Sequence, residues 1–519
     1  MAEGAAEALT DSGGDGDSGV SASERGVAPI KAQYRTTKEE FHGYLEAKGQ
    51  EKESGDHEDG SDLAEPEAKK IRLEDGQAES TAESQKRARG QNKARPHVKP
   101  TQYDKDRFCP ALIQVSIDLW NAAGHLQPGS LSRHFRLFSF CLCGAEESNP
   151  GPHASLGGSA GPHAFLLRQL NISGKLYLAP LTTCGNLPFR RVCKRFGADV
   201  TCGEMAVCTN LLQGQMSEWA LLKRHACEDI FGVQVEGAFP DTMTKCAELL
   251  SRTVDVDFVD INVGCPIDLV YKKGGGCALM NRSAKFQQIV RGMNQVLDVP
   301  LTVKIRTGVQ ERVSLAHSLL PEMRDWGVSL VTLHGRSREQ RYTKLADWQY
   351  IEQCAKVASP MPLFGNGDIL SYEDANRAME TGVAGIMIAR GALLKPWLFT
   401  EIKEQRHWDI SSSERLDILR DFTHYGLEHW GSDTQGVEKT RRFLLEWLSF
   451  LCRYVPVGLL ERLPQKINER PPYYMGRDYL ETLMASQQAA DWIRISEMLL
   501  GPVPPNFVFL PKHKANAYK

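Results

Sequence analysis

The sequence lacks any long apolar run. No eighteen consecutive apolar residues occur in its 519 residues, so we expect no membrane-spanning helix. The first eighteen residues are acidic and Gly-rich without an apolar core, which predicts no secretory signal peptide. The net charge is only −3, and this average does not by itself indicate a nucleic-acid binder. An average can hide local clusters of one sign, so the distribution of charge has to be followed along the chain.

The cysteines lack a regular spacing. There are 13 of them, an odd number. Without a signal peptide, this pattern predicts a reducing compartment, cytoplasmic and/or nuclear, with the thiols mostly free. Residues 106–172 hold several candidate zinc ligands, whose spacing fits no structural zinc pattern, so we predict no metal site. They are Cys109, His134, Cys141, Cys143, His153 and His163.

Residues 1–105 are poor in aromatic residues and rich in Gly, Ser, Ala, Glu and Lys. Such a segment buries too little apolar surface to offset the entropy of ordering, so we expect a disordered tail. One short helix is predicted from Thr37 to Lys48, around Phe41 and Leu45. Basic clusters at 69–72 and 86–99 are typical of a solvated tail, of nuclear import or of weak attraction to RNA.

From Lys175 onward, short apolar runs alternate with longer amphipathic stretches, which predicts a parallel sheet with crossover helices. Gly197, Gly327 and Gly382 each follow a predicted helix, as expected of the left-handed residue that ends one. Eight strands are predicted: Leu176–Ala179, Asp199–Gly203, Ile230–Val235, Phe258–Asn262, Leu301–Ile305, Leu330–His334, Leu363–Asn366 and Gly385–Ala389.

Eight such units within residues 173–408 fit an α/β fold, the closed (β/α)8 TIM barrel. A doubly wound open sheet is the alternative, but the turn after the first strand, 179–183, lacks the G-x-G-x-x-G that such sheets carry. Residues 409–519 show no strand pattern and predict a small all-helical domain. Its expected helices are Ser413–Glu428, Val437–Cys452 and Asp478–Leu500.

Active sites of such barrels form where the strands end. Gly365, Gly367 and Gly391, with Arg390, lie after the last two strands and predict a phosphate site, although a glycine there can also be structural. Lys304 interrupts an apolar strand, so it either faces the barrel mouth or forms a buried salt bridge. Cys265 follows a strand end and could act as a general acid or as a small buried hydrophobe.

Taken together, four motifs resemble those of the tRNA-dihydrouridine synthase family. They are Asn262-Val263-Gly264-Cys265-Pro266, Lys304, His334-Gly335-Arg336 and Gly365-Asn366-Gly367-Asp368. The segment from Lys175 to Lys519 is similar to the eukaryotic dihydrouridine synthase 3 type. The resemblance implies an FMN-binding barrel that uses NADPH or NADH. It implies reduction of the C5=C6 bond of a uridine of the variable-loop position 47 type in cytoplasmic tRNA, with mRNA as a further substrate.

The same resemblance implies roles for individual residues. Cys265 would protonate uracil C5 after hydride addition at C6, while Asn262 and Arg336 would contact the substrate. A larger group would contact the cofactor. It comprises Pro180, Leu181, Thr182, Gln234, Lys304, His334, Asn366, Gly367, Asp368, Ala389 and Arg390.

In this family the helical domain binds tRNA, and residues 439–477 carry a local excess of positive charge that suits a phosphate backbone. Tyr473 and Tyr474 would offer stacking faces for bases. No membrane association and no protein partner is inferred. The cations are Lys439, Arg441, Arg442, Arg453, Arg462, Lys466, Arg470 and Arg477, against the carboxylates of Glu446, Glu461 and Glu469.

The chain departs from the family between about Gln114 and Ser173, where CCCH zinc fingers are expected and their cysteines are missing. We interpret this as a splice variant or a gene-model artefact. Two rival functions stay open, a barrel reductase of free pyrimidines and a non-catalytic RNA-binding relative. A free base needs no phosphate-binding surface, and a non-catalytic relative needs neither Cys265 nor Lys304.

Overall fold

The computed structural model describes residues 26–55, 170 and 172–512, with side chains up to residue 49 in the first segment. Residues 1–25 and 56–105 of the predicted tail and almost all of 106–172 lie outside this description, including the candidate zinc ligands. Within the described part, parallel strands form a closed barrel. They are β1 Leu176–Leu178, β2 Val200–Cys202, β3 Ala206–Val207, β4 Ile230–Glu236, β5 Phe258–Asn262, β6 Leu301–Arg306, β7 Leu330–His334, β8 Leu363–Asn366 and β9 Gly385–Ile388.

The ring runs β1-β2-β4-β5-β6-β7-β8-β9 and closes where β9 pairs with β1, while β3 adds only a two-residue pairing to β4. The eight predicted strands are therefore confirmed, with ends that differ by a single residue at most. Side chains from distant strands meet inside the ring. The ring centroid of Tyr177 lies 5.9 Å from that of Phe258 and 6.3 Å from that of Phe364. The interior is thus a packed core, and ligands can bind only at its ends.

Helices surround the barrel and connect its strands. Gly197, Gly327 and Gly382 follow three of them with φ angles of 96°, 90° and 79°, which confirms their predicted left-handed role. The longer ones are Leu187–Arg195, Pro240–Thr253, Ser283–Val296, Ala316–Asp325, Trp348–Ala358, Tyr372–Glu380 and Leu398–Glu404. The shorter ones are Cys208–Leu212, Met216–Trp219, Asp268–Lys272 and Arg390–Leu394, with 3-10 turns at Ala220–Leu222 and Gly276–Asn281.

The C-terminal region is helical, as predicted, but its last predicted helix is two. The chain leaves helical geometry at Ser486, whose hydroxyl accepts the backbone N–H of Gln488 at 3.2 Å. A serine that bonds its own backbone competes with the helix, which explains the break. The helices are Ser412–Trp430, Thr434–Leu451, Tyr479–Ala485 and Ala489–Leu500, with a 3-10 turn at Val457–Leu459. No helix in the described ranges is long and apolar enough to span a membrane.

Residues 26–55 are more ordered than the predicted disordered tail with one short helix. They contain a 3-10 turn, Ala32–Tyr34, and a helix, Lys38–Gly55, which confirms the predicted helix and extends it toward the C terminus. Thr37 begins this helix, since its hydroxyl accepts the N–H of Glu40 at 3.2 Å and the Glu40 carboxylate accepts the N–H of Thr37 at 3.1 Å. The pattern is a capping box.

This segment is held by the C-terminal region through its main chain. Ala28 N–H donates to the Arg470 carbonyl at 2.9 Å, Lys31 N–H to the Leu459 carbonyl at 2.9 Å and Thr36 N–H to the Tyr473 carbonyl at 3.1 Å. Further bonds join Arg470 to Gly26, Glu461 to Pro29 and Met475 to Tyr34. Phe41 and Leu45 are each only 1% exposed. The tertiary contacts supply the apolar burial that the segment's own composition cannot provide.

Replacing Phe41 with alanine is expected to detach this segment, because truncating a buried Phe typically costs about 3–5 kcal/mol. Hydrogen exchange at the amides of Ala28, Lys31 and Thr36 should then accelerate by at least about a hundredfold. Glu39→Ala, on the exposed side of the same helix, is the control and should leave these rates unchanged. Equal rates in the Phe41 variant and the wild type would show that the docking does not depend on this ring.

Candidate active site

A chain of buried polar side chains links β4, β5 and β6 inside the barrel and reaches the C-terminal end of β5 at Asn262. The Thr302 hydroxyl donates to one oxygen of Asp260 at 2.6 Å, and Gln234 Nε2 donates to the other at 2.8 Å. Asn262 Nδ2 in turn donates to Gln234 Oε1 at 2.7 Å. Burial raises the pKa of Asp260 to about 6, against these hydrogen bonds, which lower it. Neither Thr302 nor Asp260 was predicted from the sequence as a site residue.

The loop that carries Cys265 is fixed by that chain. Asn262 Oδ1 accepts the backbone N–H of Cys265 at 2.8 Å and that of Gly264 at 3.1 Å. Arg306 Nε donates to the Gly264 carbonyl at 2.7 Å from the neighbouring strand. Gly276 packs against the same loop with a φ of 54°, and a Cβ added there would lie 2.9 Å from the Cys265 carbonyl oxygen. The backbone around the thiol is therefore held from three directions.

The Cys265 thiol itself is 7% exposed. Burial raises its pKa above the usual range of a cysteine, while Arg306 and Arg338 oppose this more weakly. The thiol is accordingly protonated at neutral pH and can donate a proton, as a general acid must.

Lys304 lies on β6 and is half-buried at the barrel mouth. Its ammonium donates to Asn366 Oδ1 at 3.3 Å, so its hydrogen-bond partner there is an amide and not the carboxylate of a buried salt bridge. Burial lowers its pKa to about 8, and repulsion by Arg306 adds to this, while Asp260 opposes it. A desolvated cation without a directly bonded counter-ion is suited to an electron-rich or anionic ligand.

Lys304→Met is expected to stabilise the cofactor-free protein below pH 8. The ordinary lysine pKa is about 10.4, so in the wild type the cost of burying the charged form is fully present below the folded pKa of about 8. It is relieved as the pH rises from about 8 toward about 10.4, because folded Lys304 has then lost its proton. Urea unfolding at pH 6.5 and 9.5 would measure the difference between variant and wild type, which should shrink at the higher pH. A variant that is less stable than the wild type at pH 6.5 would contradict this account.

His334 ends β7 and is 7% exposed. Burial lowers its pKa well below the usual histidine range, and the cations Arg306, Lys304 and Arg336 lower it further. The ring is therefore neutral. Its Nε2 lies 3.3 Å from Arg336 Nη1 and accepts from that guanidinium, which leaves the proton on Nδ1.

Arg336, which is predicted to contact the substrate, has protein partners for its guanidinium in this structure. The side chain is completely buried. Nη2 donates to both oxygens of Asp368 at 2.7 and 2.6 Å, and both Nε and Nη2 donate to the Lys344 carbonyl. The guanidinium of Arg336 is enclosed by the protein and holds Asp368 and the Lys344 carbonyl in place beside the site.

Asp368 joins three segments at the barrel mouth, namely its own loop after β8, the loop after β7 and the start of the helix after β9. Besides Arg336, its carboxylate accepts from Arg390 Nη2 at 2.7 Å and from the Ala346 N–H at 2.8 Å. Arg390 also lies over the ring of Tyr342, 4.4 Å from its centroid. Asp368 therefore positions Arg390. Of the two arginines that donate to Asp368, Arg336 is fully buried and Arg390 keeps partial exposure.

The three glycines of the predicted phosphate site have a packing role. A Cβ at Gly365 would lie 2.5 Å from the Trp348 ring, one at Gly367 2.4 Å from Ala346 Cβ, and one at Gly391 2.2 Å from the Ile369 carbonyl oxygen. Their need for hydrogen at Cα thus arises from protein neighbours, and an approaching anion is not required to explain it.

The loop after β1 contains Pro180, Leu181 and Thr182, which are half-buried or exposed at the barrel mouth. Thr183 follows with a φ of 79°, which is unusual for a β-branched residue. Its N–H donates to the Glu204 carboxylate at 2.6 Å, and its carbonyl accepts from Asn186 Nδ2 at 3.1 Å. Glu204 was missed at the sequence level, because nothing in its local pattern connects it to a loop about twenty residues earlier.

The register brings the remaining predicted residues to one end of the barrel. Asn262 pairs with Lys304 between β5 and β6, and His334 pairs with Asn366 between β7 and β8. Asn366 Nδ2 donates to the Met387 carbonyl on β9 at 2.8 Å, and Ala389 follows that strand directly. The predicted cofactor residues therefore share the barrel mouth with Cys265.

The predicted RNA-binding surface of the helical domain is smaller than its charge count indicates. Arg441 is 1% exposed and donates to Ser496 Oγ and to the carbonyls of residues 500–502. Arg477 pairs with Asp409 and Glu481. The placement of Arg441 is a correction, since its side chain is enclosed by the protein, whereas Arg477 stays exposed beside its carboxylate partners. The exposed cations are Lys439, Arg442, Arg462, Lys466, Arg470 and Arg477.

The predicted stacking tyrosines also need correction. Tyr474 is 1% exposed and donates to the Tyr454 carbonyl at 3.3 Å. Tyr473 is half-buried, with its ring 5.5 Å from that of Phe41 in the N-terminal segment. Tyr474 cannot offer a free face to a base, and Tyr473 uses part of its surface to hold residues 26–55.

In the described residues no group of three or more His, Cys, Asp or Glu side chains could hold a metal ion.

Comparisons with known proteins place this geometry in a family. The model of the dihydrouridine synthase family matches residues 177–445. A Homo sapiens protein named tRNA-dihydrouridine(47) synthase (NAD(P)(+))-like is 66% identical, covering 100% of both chains. Proteins of the same name from Rattus norvegicus and Xenopus laevis are 65% and 58% identical, covering 100% and 96% of this chain and 100% and 97% of theirs.

The human alignment spans 651 positions, whereas this chain has 519 residues, so at least 132 positions of the alignment have no residue here. The family model covers more than half of the chain, and the identity extends over the full length of the relatives. The chain therefore belongs to the dihydrouridine synthase family.

Proposed function

We propose that this protein is an FMN-dependent tRNA-dihydrouridine synthase that reduces the C5=C6 bond of a uridine with electrons from NADPH or NADH. The target would be of the variable-loop position 47 type. The observation that carries the proposal is the position of Cys265, whose loop Asn262 holds at the same barrel mouth as Lys304 and His334. Burial raises the pKa of its thiol, which favours the proton-donating form. The names of the relatives, with identities of up to 66% over the whole chain, support the choice of substrate.

The residues present fit a flavin mononucleotide. Lys304 is a desolvated cation that donates to an amide, so an electron-rich ring beside it would gain a charge-assisted partner. Arg390, held by Asp368 at the ends of β8 and β9, would bind the phosphate together with the backbone at Gly367 and Ala389. Gln234 and the loop Pro180–Thr182 would complete the site. When bound, FMN supplies the hydride carrier between NAD(P)H and the uracil ring.

The protein's own groups account for the rest of the reaction. Hydride addition to C6 of a uracil builds enolate charge across C5 and the adjoining carbonyl, and the Cys265 thiol can quench it by protonating C5. Asn262 Oδ1 is saturated by two backbone N–H groups, which leaves one Nδ2 hydrogen for the base. His334 is neutral, so it carries no second acidic proton that could protonate the substrate in place of the Cys265 thiol.

The experiment is to incubate the purified protein with NADPH and tRNA that lacks dihydrouridine, and to quantify dihydrouridine by nucleoside mass spectrometry. Free uracil and uridine serve as competing substrates in parallel reactions. Formation of dihydrouridine in tRNA would support the proposal. Reduction of the free bases alone would favour a pyrimidine reductase, and a protein that binds tRNA without forming product in the presence of FMN would favour a non-catalytic relative.

Two finer assignments belong to this proposal. A uridine in mRNA presents the same ring, so we include mRNA as a substrate class, to be tested with the same assay on a uridine-containing transcript. We also place the protein in the cytoplasm and/or nucleus, supported by the basic clusters at 69–72 and 86–99. Imaging of a tagged full-length chain would test that placement.

The exposed cations of the helical domain predict a salt-dependent contact with tRNA. Lys466→Ala and Arg442→Ala should each weaken tRNA binding and reduce the slope of log affinity against log salt concentration by about one, as expected for the loss of a phosphate contact. Binding titrations at several salt concentrations would measure this. Lys356→Ala, an exposed lysine on a barrel helix, is the matched control and should leave the slope unchanged. If all three variants kept the slope of the wild type, the tRNA would bind elsewhere on the protein.

A further inference from the structure

The chain of hydrogen bonds that ends at Cys265 begins at a carboxylate deep in the barrel. Asp260 pairs with Gln234 of β4 and with Thr302 of β6 in the strand register. Asp260 is 3% exposed, and Gln234 and Thr302 are 1% exposed each. At such burial water cannot replace a missing partner, so each donor has to find an acceptor within the protein.

The chemistry of its two ends gives this chain one direction. An ionised carboxylate only accepts hydrogen bonds, and the backbone N–H groups of Gly264 and Cys265 only donate them. Two carboxamides lie between, each with one accepting oxygen and one donating nitrogen. Gln234 has to turn Nε2 toward Asp260, so its oxygen faces Asn262. Asn262 then has to turn Nδ2 toward Gln234, which leaves Oδ1 for the backbone of the thiol loop.

We propose that Asp260 is a positioning residue for the proton donor, and that it acts through Gln234 and Asn262 by fixing the orientation of both amides. The proposal rests on the proposed function, in which Cys265 protonates the substrate. Without an acceptor at residue 260, Gln234 Nε2 loses its partner, and either amide can rotate and present a donor to the next donor in the chain. The Cys265 backbone would then lose the bond that sets the position of its thiol.

Two substitutions at the same residue separate orientation from charge. Asp260→Ala removes both the charge and the acceptor. Asp260→Asn removes the charge but keeps an oxygen that can face Gln234, because the Thr302 hydroxyl can accept from the new amide nitrogen as well as donate. Both variants remove the negative charge that raises the pKa of Lys304, so that effect cancels when the two are compared.

The effect has to depend on the thiol if Asp260 acts through it. Each variant is therefore made with Cys265 intact and in a Cys265→Ala background, and single-turnover dihydrouridine formation is followed by nucleoside mass spectrometry. With Cys265 intact, Asp260→Ala should slow the reaction at least about tenfold and Asp260→Asn less than about threefold, since small misplacements of a reacting group have large rate effects. In the Cys265→Ala background, Asp260→Ala should add less than about twofold, because the two changes remove the same interaction. Reduction of the bound flavin by NADPH should agree between the two Asp260 variants.

Equal losses from Asp260→Ala in both backgrounds would overturn the proposal, as would an Asp260→Asn variant as slow as the alanine variant. If Asp260→Ala does not fold, Gln234→Met interrupts the chain while it keeps the carboxylate, and it goes through the same pair of backgrounds. Hydrogen exchange at the amides of Gly264 and Cys265 provides a readout without turnover. It should accelerate in Asp260→Ala and stay near the wild-type rate in Asp260→Asn. A wild type that forms no dihydrouridine would therefore refute the proposed function, while the exchange rates would still decide the role of Asp260.

Discussion

Cys265→Ala is expected to lower the rate of dihydrouridine formation by about 10²- to 10⁴-fold, the usual contribution of a positioned general acid. The side chain is the protonated thiol at the barrel mouth, and burial keeps its pKa above the usual cysteine range. Its removal leaves the enolate at C5 to be protonated by water, which the buried site admits poorly. Single-turnover assays with tRNA and nucleoside mass spectrometry would measure the loss.

The reduction of the bound flavin by NADPH is the internal control, since no proton from Cys265 is needed in that half of the reaction. It should proceed at the wild-type rate in Cys265→Ala. Cys277→Ala is the matched variant, because Cys277 is also a buried thiol and its N–H donates to the Cys265 carbonyl at 3.3 Å. Its loss should change the rate of dihydrouridine formation by less than about threefold, as a small core substitution does. A Cys277 variant as slow as Cys265→Ala would assign the effect to packing of the loop.

The barrel could be predicted from the sequence because each strand has its own local pattern of apolar residues. Short apolar runs, such as Phe258–Asn262, are buried along their whole length in the structure. A glycine such as Gly327 is needed where the chain leaves a helix, and that need follows from backbone sterics alone. Cys265 and Lys304 could be placed at the mouth for the same reason, because the parallel order of strands sends their C-terminal ends to one side.

Other features depend on partners far away in the chain, and sequence patterns do not reveal them. Among the described side chains of the helix Lys38–Gly55, Phe41 and Leu45 are the fully buried apolar ones, and the surface that buries them belongs to a C-terminal region some four hundred residues later. The composition of residues 439–477 predicts Arg441 and Tyr474 as recognition groups, whereas packing buries both. A count of charges gives the number of cations in a segment, but which of them point outward is decided by packing.

Arg336→Leu is expected to lower the free energy of unfolding by about 3 kcal/mol, near the lower end of the cost of breaking a buried ion pair. The substitution removes two hydrogen bonds to Asp368 and leaves the Lys344 carbonyl without its guanidinium donors. The remaining pairing of Asp368 with Arg390 keeps the cost from being larger. Urea unfolding would measure the change, and Arg341→Ala, an exposed arginine in the same loop, should stay within about 0.5 kcal/mol of the wild type.

Arg336→Lys distinguishes charge from geometry at this position. A lysine keeps the positive charge, but its single ammonium cannot reproduce a guanidinium that binds both oxygens of Asp368 and the Lys344 carbonyl at once. If the fork geometry holds the three segments together, Arg336→Lys should lose most of the stability that Arg336→Leu loses. Both variants should bind FMN more weakly, because Asp368, which positions Arg390, is itself no longer held by the guanidinium. Full stability and full FMN affinity in Arg336→Lys would instead show that charge alone suffices.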